Sequence, residues 1–258
     1  MPANYAHHRF GRQVLEVMPP KAARTVRRFR QLYDVGLHGP DIFFYYNPFF
    51  STETGELGHS THMRTGTDFF TQTCEMLRRE GSEGAMAYLY GLLAHYCLDS
   101  LCHPFVHQCD ADGIAGHTEL EVEFDRSLMA EDGISQPQTY SLSHCFRLTR
   151  GECVTVAGFY PPVTPGRVSG ALANTRFFVR FLADKHRGFV NTVTRTLGSG
   201  IHQQVMHTPA NARCMHLNVP LRERYDAALA AYGPMLEALT AHLESGEDLG
   251  PDFEAIFG

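Results

Sequence analysis

His95, Asp99 and His103 follow one another at intervals of four, and His117 and Glu121 repeat that interval a little further on. On an α-helix, positions four apart sit one turn above each other, so the first three drift only about 80° around the axis. Two imidazoles and a carboxylate then form a stripe on one helix, with an imidazole and a carboxylate on the next. Such a mix of nitrogen and oxygen donors suits zinc. The stretch 85–103 is apolar on every face, the pattern of a helix at the centre of a domain. A charged Asp99 there costs on the order of several kcal/mol unless it is paired or bound to metal. Metal is the economical explanation.

Further donors lie upstream. Asp41 is a lone carboxylate between a Gly-Pro turn and a bulky apolar run. His59 and His62 are three apart, so either or both could ligate, and His7 and His8 offer an N-terminal imidazole. Nine of the fifteen histidines precede residue 118, which concentrates any chemistry in the N-terminal half. Leu120, Phe124 and Leu128 mark a buried stripe on 117–131, and His117, Glu121 and Asp125 fall on or beside it. Polar ligand types that point at the core are expected where two helices face each other across a metal cluster.

The elements that must position these residues read as helices at about 10–17, 21–34, 66–80, 82–103, 117–131, 138–148, 167–197 and 219–245. Only 41–50 has β-like aromatic content, and Pro40 and Pro48 confine it to a buried loop or half-turn. Pro104 is expected to end the central helix and take His107 out of line, leaving it a reserve ligand. In 21–34, Ala22, Val26, Phe29 and Tyr33 form the core stripe, and Arg24, Arg27, Arg28 and Arg30 a solvated face. The expected architecture is all-α: one domain over 1–258, a multi-helix bundle with the metal cluster between helices. The ligands lie within 1–125, and 130–258 completes the packing, with a possible flap at 198–218.

Composition narrows the partners. The chain has 258 residues, 43% of them hydrophobic, and a net charge of −6. That charge gives no bulk attraction for nucleic acid or an anionic membrane, so no stable nucleic-acid partner is expected and any phosphate recognition is local. Seven cysteines without a C-x-x-C pair read as reduced thiols. The first ten residues lack the apolar core of a signal peptide, and no run of about 18 apolar residues suggests a transmembrane segment. A cytoplasmic protein is expected.

With these residues in view, the chain resembles the zinc-dependent phospholipases C, all-helical enzymes related to fungal-type single-strand nucleases that hold three zinc ions. The resemblance covers about residues 4–125. It rests on Ala94-His95-Tyr96-Cys97-Leu98-Asp99 and His117-Thr118-Glu119-Leu120-Glu121, which match the family's H-x-x-x-D and H-x-x-x-E pairs in the same order. It implies His95, Asp99, Asp41 and His62 around a first zinc and His103, His117 and Glu121 around a second. Asp99 would bridge to a third ion held by His7. Secreted members begin with a tryptophan that binds the third zinc, and this chain contains no tryptophan. Two or three ions are therefore implied. The family's next histidine after the aspartate comes six positions on. Here His103 comes at four and His107 at eight, and helical phase favours His103.

The implied activity is zinc-dependent hydrolysis of a lipid or small-molecule phosphodiester by metal-activated hydroxide. Asp41 would serve as the catalytic base or water orienter, with Glu121 second. Phe43, Phe44, Tyr45, Tyr46, Phe49 and Phe50 either line a pocket for a head group, acyl chain or base, or belong to the core. The competing reading is a non-catalytic helical protein whose metal staples helices together.

Overall fold

The fold was analysed in a computed structural model that describes residues 4–47, 52–183, 190, 192–194, 196, 202–206 and 209–258. Ten α-helices are named here: α1 (Asn4–Val17), α2 (Pro20–Arg28), α3 (Arg30–Gly36), α4 (Glu53–His62), α5 (Gly66–Glu80), α6 (Glu83–Ala111), α7 (His117–Glu131), α8 (Arg150–Gly158), α9 (Pro165–Leu182) and α10 (Asn218–Ser245). A 3-10 helix occupies Gly39–Tyr45, and shorter 3-10 turns lie at Pro137–Thr139, Ser143–Cys145, Met215–Leu217 and Pro251–Phe253. Among the described residues there is no strand, only an isolated bridge between Thr65 and Ile256. The protein is all-α, as expected. None of its described helices is long and apolar enough to cross a membrane.

The all-apolar stretch becomes α6, the axis of the fold. Ser82 caps its N-terminus by accepting from Ala85 N–H at 3.1 Å. Helices α1, α2, α3, α7, α8 and α10 all pack on it. The crossing with α3 is made close by paired glycines, because a Cβ on Gly36 would lie 2.4 Å from Tyr88 O and one on Gly91 2.3 Å from Tyr33 O. That approach places the turn after α3, which carries Asp41, beside the middle of α6.

Several sequence expectations are corrected. The single helix expected at 21–34 breaks at Phe29, whose φ of −117° and ψ of 46° are not helical. The break lets α2 bury one face through Ala22, Ala23 and Val26, while α3 buries Leu32 to Gly36 on all sides. Arg24, Arg27 and Arg28 are exposed, and Arg30 pairs with Asp34 at 2.7 Å. Pro104 does not end α6. It lies on the exposed side, where water can take up the carbonyl left by its missing N–H, and the helix runs on to Ala111. Only two 3-10 turns occur within 138–148. Helix α1 starts at Asn4 rather than near 10, and α4 forms where no helix was expected, capped by Thr52. Helix α8 was also missed, although Thr149-Arg150-Gly151-Glu152 is a capping box legible in the sequence. Helix α9 ends at Leu182, where Ala183 (φ −80°, ψ 70°) leaves the helical region, so the single helix expected at 167–197 is not continuous; 184–189, 191, 195 and 197 and parts of the possible flap at 198–218 fall outside the described residues. The described residues 209–217 are tied to α7 through Asn211 N–H, which donates to Glu123 at 2.9 Å.

The last turn of the chain also packs inward. Phe253 and Phe257 are fully buried against Phe70 and Tyr96, and Phe257 N–H donates to Arg64 O at 3.1 Å.

The α3–α6 crossing yields a stability test. Gly91→Ala forces a methyl group into Tyr33 O, and we expect a loss of about 3 kcal/mol, the upper part of the overpacking range. The midpoint of denaturant unfolding, compared with Gly233→Ala where a Cβ meets nothing, checks it.

Candidate metal centre

The helical phase of α6 puts His95, Asp99 and His103 on one face, and α7 brings His117 and Glu121 beside His103. Helix α1 brings His7, the 3-10 helix brings Asp41, and the last turn of α4 brings His62. Asp99 is the meeting point. Its Oδ1 lies 3.1 Å from His7 Nε2, and its Oδ2 lies 3.3 Å from His95 Nε2 and 3.6 Å from His103 Nδ1. Asp41 Oδ1 is 2.9 Å from His62 Nε2. Glu121 Oε1 is 3.2 Å from both His103 Nε2 and His117 Nε2. Three groups result, each with ligand atoms within 4.8 Å of one another: His7, His95 and Asp99; Asp41, His62 and His95; His103, His117 and Glu121. All eight residues singled out in the sequence are therefore brought together.

The orientation of the rings points to cations. His62 Nδ1 donates to Gly58 O at 2.7 Å, so in the neutral ring that a metal requires Nε2 carries the lone pair. That lone pair faces Asp41 Oδ1, itself an acceptor, and neither atom has a hydrogen-bond partner. His95 repeats the pattern: Nδ1 is held by Leu37 O at 3.3 Å, and Nε2 faces Asp99 Oδ2 without a hydrogen bond. His103 Nδ1 and Glu121 Oε2 are likewise buried without a hydrogen-bond partner. Each such orphan costs about 1–3 kcal/mol. Acceptors that confront each other in a dry interior repel unless positive charge lies between them. Imidazole nitrogens with carboxylate oxygens form a donor set that fits zinc.

The electrostatics agree. Burial alone would push the Asp99 carboxyl up, but the imidazoles of His103, His95 and His7 outweigh it and hold it below the carboxylate range. Burial also opposes ionisation of Glu121, and the hydrogen bonds of His103 and His117 reverse that effect. Burial pulls His95 down to about 4, the neutral form a metal needs. Asp99 is 3% exposed, whereas the His117 side chain is 29% exposed and opens its group toward solvent.

The alternatives left open by the sequence separate cleanly. His8 turns away from Asp99, with its Nδ1 3.7 Å from Cys145 Sγ, so His7 is the imidazole at Asp99. His59 is exposed and packs its ring 4.6 Å from Phe44, so His62 is the one at Asp41. His107 stays in line because α6 continues through Pro104. Its ring stacks on His103 at 5.4 Å and 8°, a parallel arrangement that does not converge on the group. Phe43 is buried core and Tyr45 stands near the charges of Asp41 and Glu121, while Phe49 and Phe50 lie outside the described residues.

Two contacts escaped the sequence reading, although Asp125 itself was already placed on or beside the buried stripe of 117–131. Asp125, one turn beyond Glu121, accepts from Tyr5 N–H at 3.0 Å and Ala6 N–H at 2.8 Å. It caps the first turn of α1 from across the fold and so fixes His7. The second is the inner end of the last segment. Gly258 N–H donates to His62 O at 3.2 Å, and a Cβ on Gly258 would lie 2.0 Å from His103 Nδ1. Both contacts join residues distant in sequence, and no local pattern announces either.

With this geometry in hand, the comparison with protein families is decisive at the level of class. The family model for zinc dependent phospholipase C matches residues 6–195. The chain belongs to the zinc-dependent phospholipase C family. Neither a curated protein nor a solved structure matches it.

Protons and metal compete for the same atoms, which gives a pH test. Burial draws His103 down, but Asp99 and Glu121 prevail and raise it from 6.5 to about 9 in the metal-free chain. Between those values the folded chain holds a proton that the unfolded chain has released, so metal-free stability falls as pH rises from 6.5 to 9. Saturating zinc removes that proton beforehand and abolishes or reverses the slope. Thermal unfolding across this range, with chelator and with zinc, checks the sign.

Proposed function

We propose that the protein is a zinc-dependent hydrolase of phosphodiester bonds, phospholipase C-like, acting as one domain over 1–258. The observation that carries this reading is the set of buried acceptors that confront one another around Asp99 without hydrogen bonds. Asp41, His62, His95 and Asp99 would hold one ion, and His103, His117 and Glu121 a second. His7 with Asp99 would hold a third where three ions bind. Bound zinc lowers the pKa of a coordinated water and neutralises phosphoryl charge.

The chain's own residues supply the rest. Asp41, 5% exposed, is the candidate base that takes or orients the proton of the attacking water. His62, locked by Gly58 O, orients Asp41. The half-open flank at His117 supports entry of a lipid or small-molecule phosphodiester. The seven buried cysteines, none in a disulfide, support a reducing compartment such as the cytoplasm. The fully buried Asp41–His62–His95 group favours a second reading, in which that ion only staples helices.

Elemental analysis of protein purified without chelator, together with hydrolysis of a soluble aryl phosphodiester, separates the readings. We expect two to three zinc per chain, and both metal and activity lost in an Asp99→Asn, His117→Ala double variant. Asp41→Asn should lower kcat by about 100-fold or more, as expected when a general base is removed. One tightly held zinc without hydrolysis would establish the structural reading, and no metal would sink both.

A further inference from the structure

The outer face of α9 carries a pattern that the metal centre does not use. Its inner stripe, Val168, Ala171, Leu172, Thr175 and Phe178, is buried. The outer face presents Arg176 and Phe177, then Arg180 and Phe181 one turn on. Phe177 is 62% exposed, and its ring stacks parallel on Phe181 at 5.9 Å. Helix α9 contains three arginines and no aspartate or glutamate. Arg167 pairs with Glu53. Arg176 and Arg180 make no ion pair among the described residues, although the chain is acidic overall. The helix also packs on residues that adjoin the metal centre without belonging to it. Phe178 packs 5.8 Å from Tyr45, and Val179 and Leu182 line a pocket with Tyr5, Tyr45 and Asp125.

We propose that the Arg176–Phe177–Arg180–Phe181 face of α9 docks the protein on an anionic lipid surface. Paired aromatic rings beside guanidiniums that no described carboxylate pairs are what the headgroup boundary accepts: the rings displace water among the acyl carbons, and the arginines meet lipid phosphates and carboxylates. A protein partner would have to supply acidic groups around an aromatic cleft, whereas a lipid surface offers negative charge and apolar depth together. The inference rests on the phosphodiesterase reading only in naming membrane lipid, rather than a free phosphodiester, as what the centre meets.

Sedimentation of the full chain with phosphatidylcholine vesicles, with and without phosphatidylserine, tests it. We expect binding to the anionic vesicles that weakens with added salt. Arg176→Glu with Arg180→Glu, and separately Phe177→Ser, should each weaken it by about tenfold or more. Hydrolysis of the soluble phosphodiester should be unchanged in both variants, which also shows that they fold. Absence of vesicle binding, equal binding to both vesicle types, or variants that bind like the parent would overturn the proposal. Loss of soluble hydrolysis in the parent chain would refute the phosphodiesterase reading and leave vesicle binding as a separate result.

Discussion

A carboxylate buried at the centre of an apolar helix is the constraint around which this molecule is arranged. Asp99 is surrounded by three imidazoles at 3.1–3.6 Å, which come from α1, from one turn before it on α6 and from one turn after. A charge in such a place persists only where its surroundings offset the loss of hydration. The packing of α1 on α6, the short α3 that lays Asp41 beside His95, and the facing of α7 all serve that requirement. The glycine pair at the α3–α6 crossing shows how closely the backbones approach to meet it.

The surrounding shell explains why the donors hold their geometry. The His62 and His95 rings are each tied at Nδ1 to a backbone carbonyl, so their Nε2 lone pairs are committed before any cation arrives. Asp125 anchors the first turn of α1 with two backbone hydrogen bonds and fixes the helix that carries His7. Burial pushes its carboxyl up to about 7, a pull against which those two N–H groups work. Such scaffolding orients ligands without touching what they bind.

What could be read from the sequence, and what could not, follows from the range of the forces involved. The ligand stripes of α6 and α7 were legible because helical phase is local: intervals of four place residues on one face whatever else the chain does. Asp41, His62 and His7 stood among the upstream candidates and resemblance chose them, since nothing local distinguishes His62 from His59. Only the fold does so, by pointing His62 inward from the last turn of α4. Pro104 misled because the cost of a proline inside a helix is local, and here the proline sits on the exposed side of a helix whose other faces are held by packing on both sides of it. The break at Phe29 and the seat of Gly258 against His103 are tertiary outcomes that no propensity encodes.

The same forces bear on what the assembled donors require. The donors come from five elements, and the acceptor atoms that face each other at 2.9–3.6 Å repel in the absence of positive charge. Several buried orphans at about 1–3 kcal/mol each are comparable with the whole net stability of a domain. Protonated imidazoles can supply the missing charge, as His103 does in the metal-free chain, but a ring has only two nitrogens and His103 has a carboxylate at each. A divalent ion with four or more coordination positions satisfies several donors at once and needs no proton to do it. The donor set is therefore best satisfied where a cation shared among Asp41, His62, His95, Asp99, His103 and Glu121 would offset the facing acceptors.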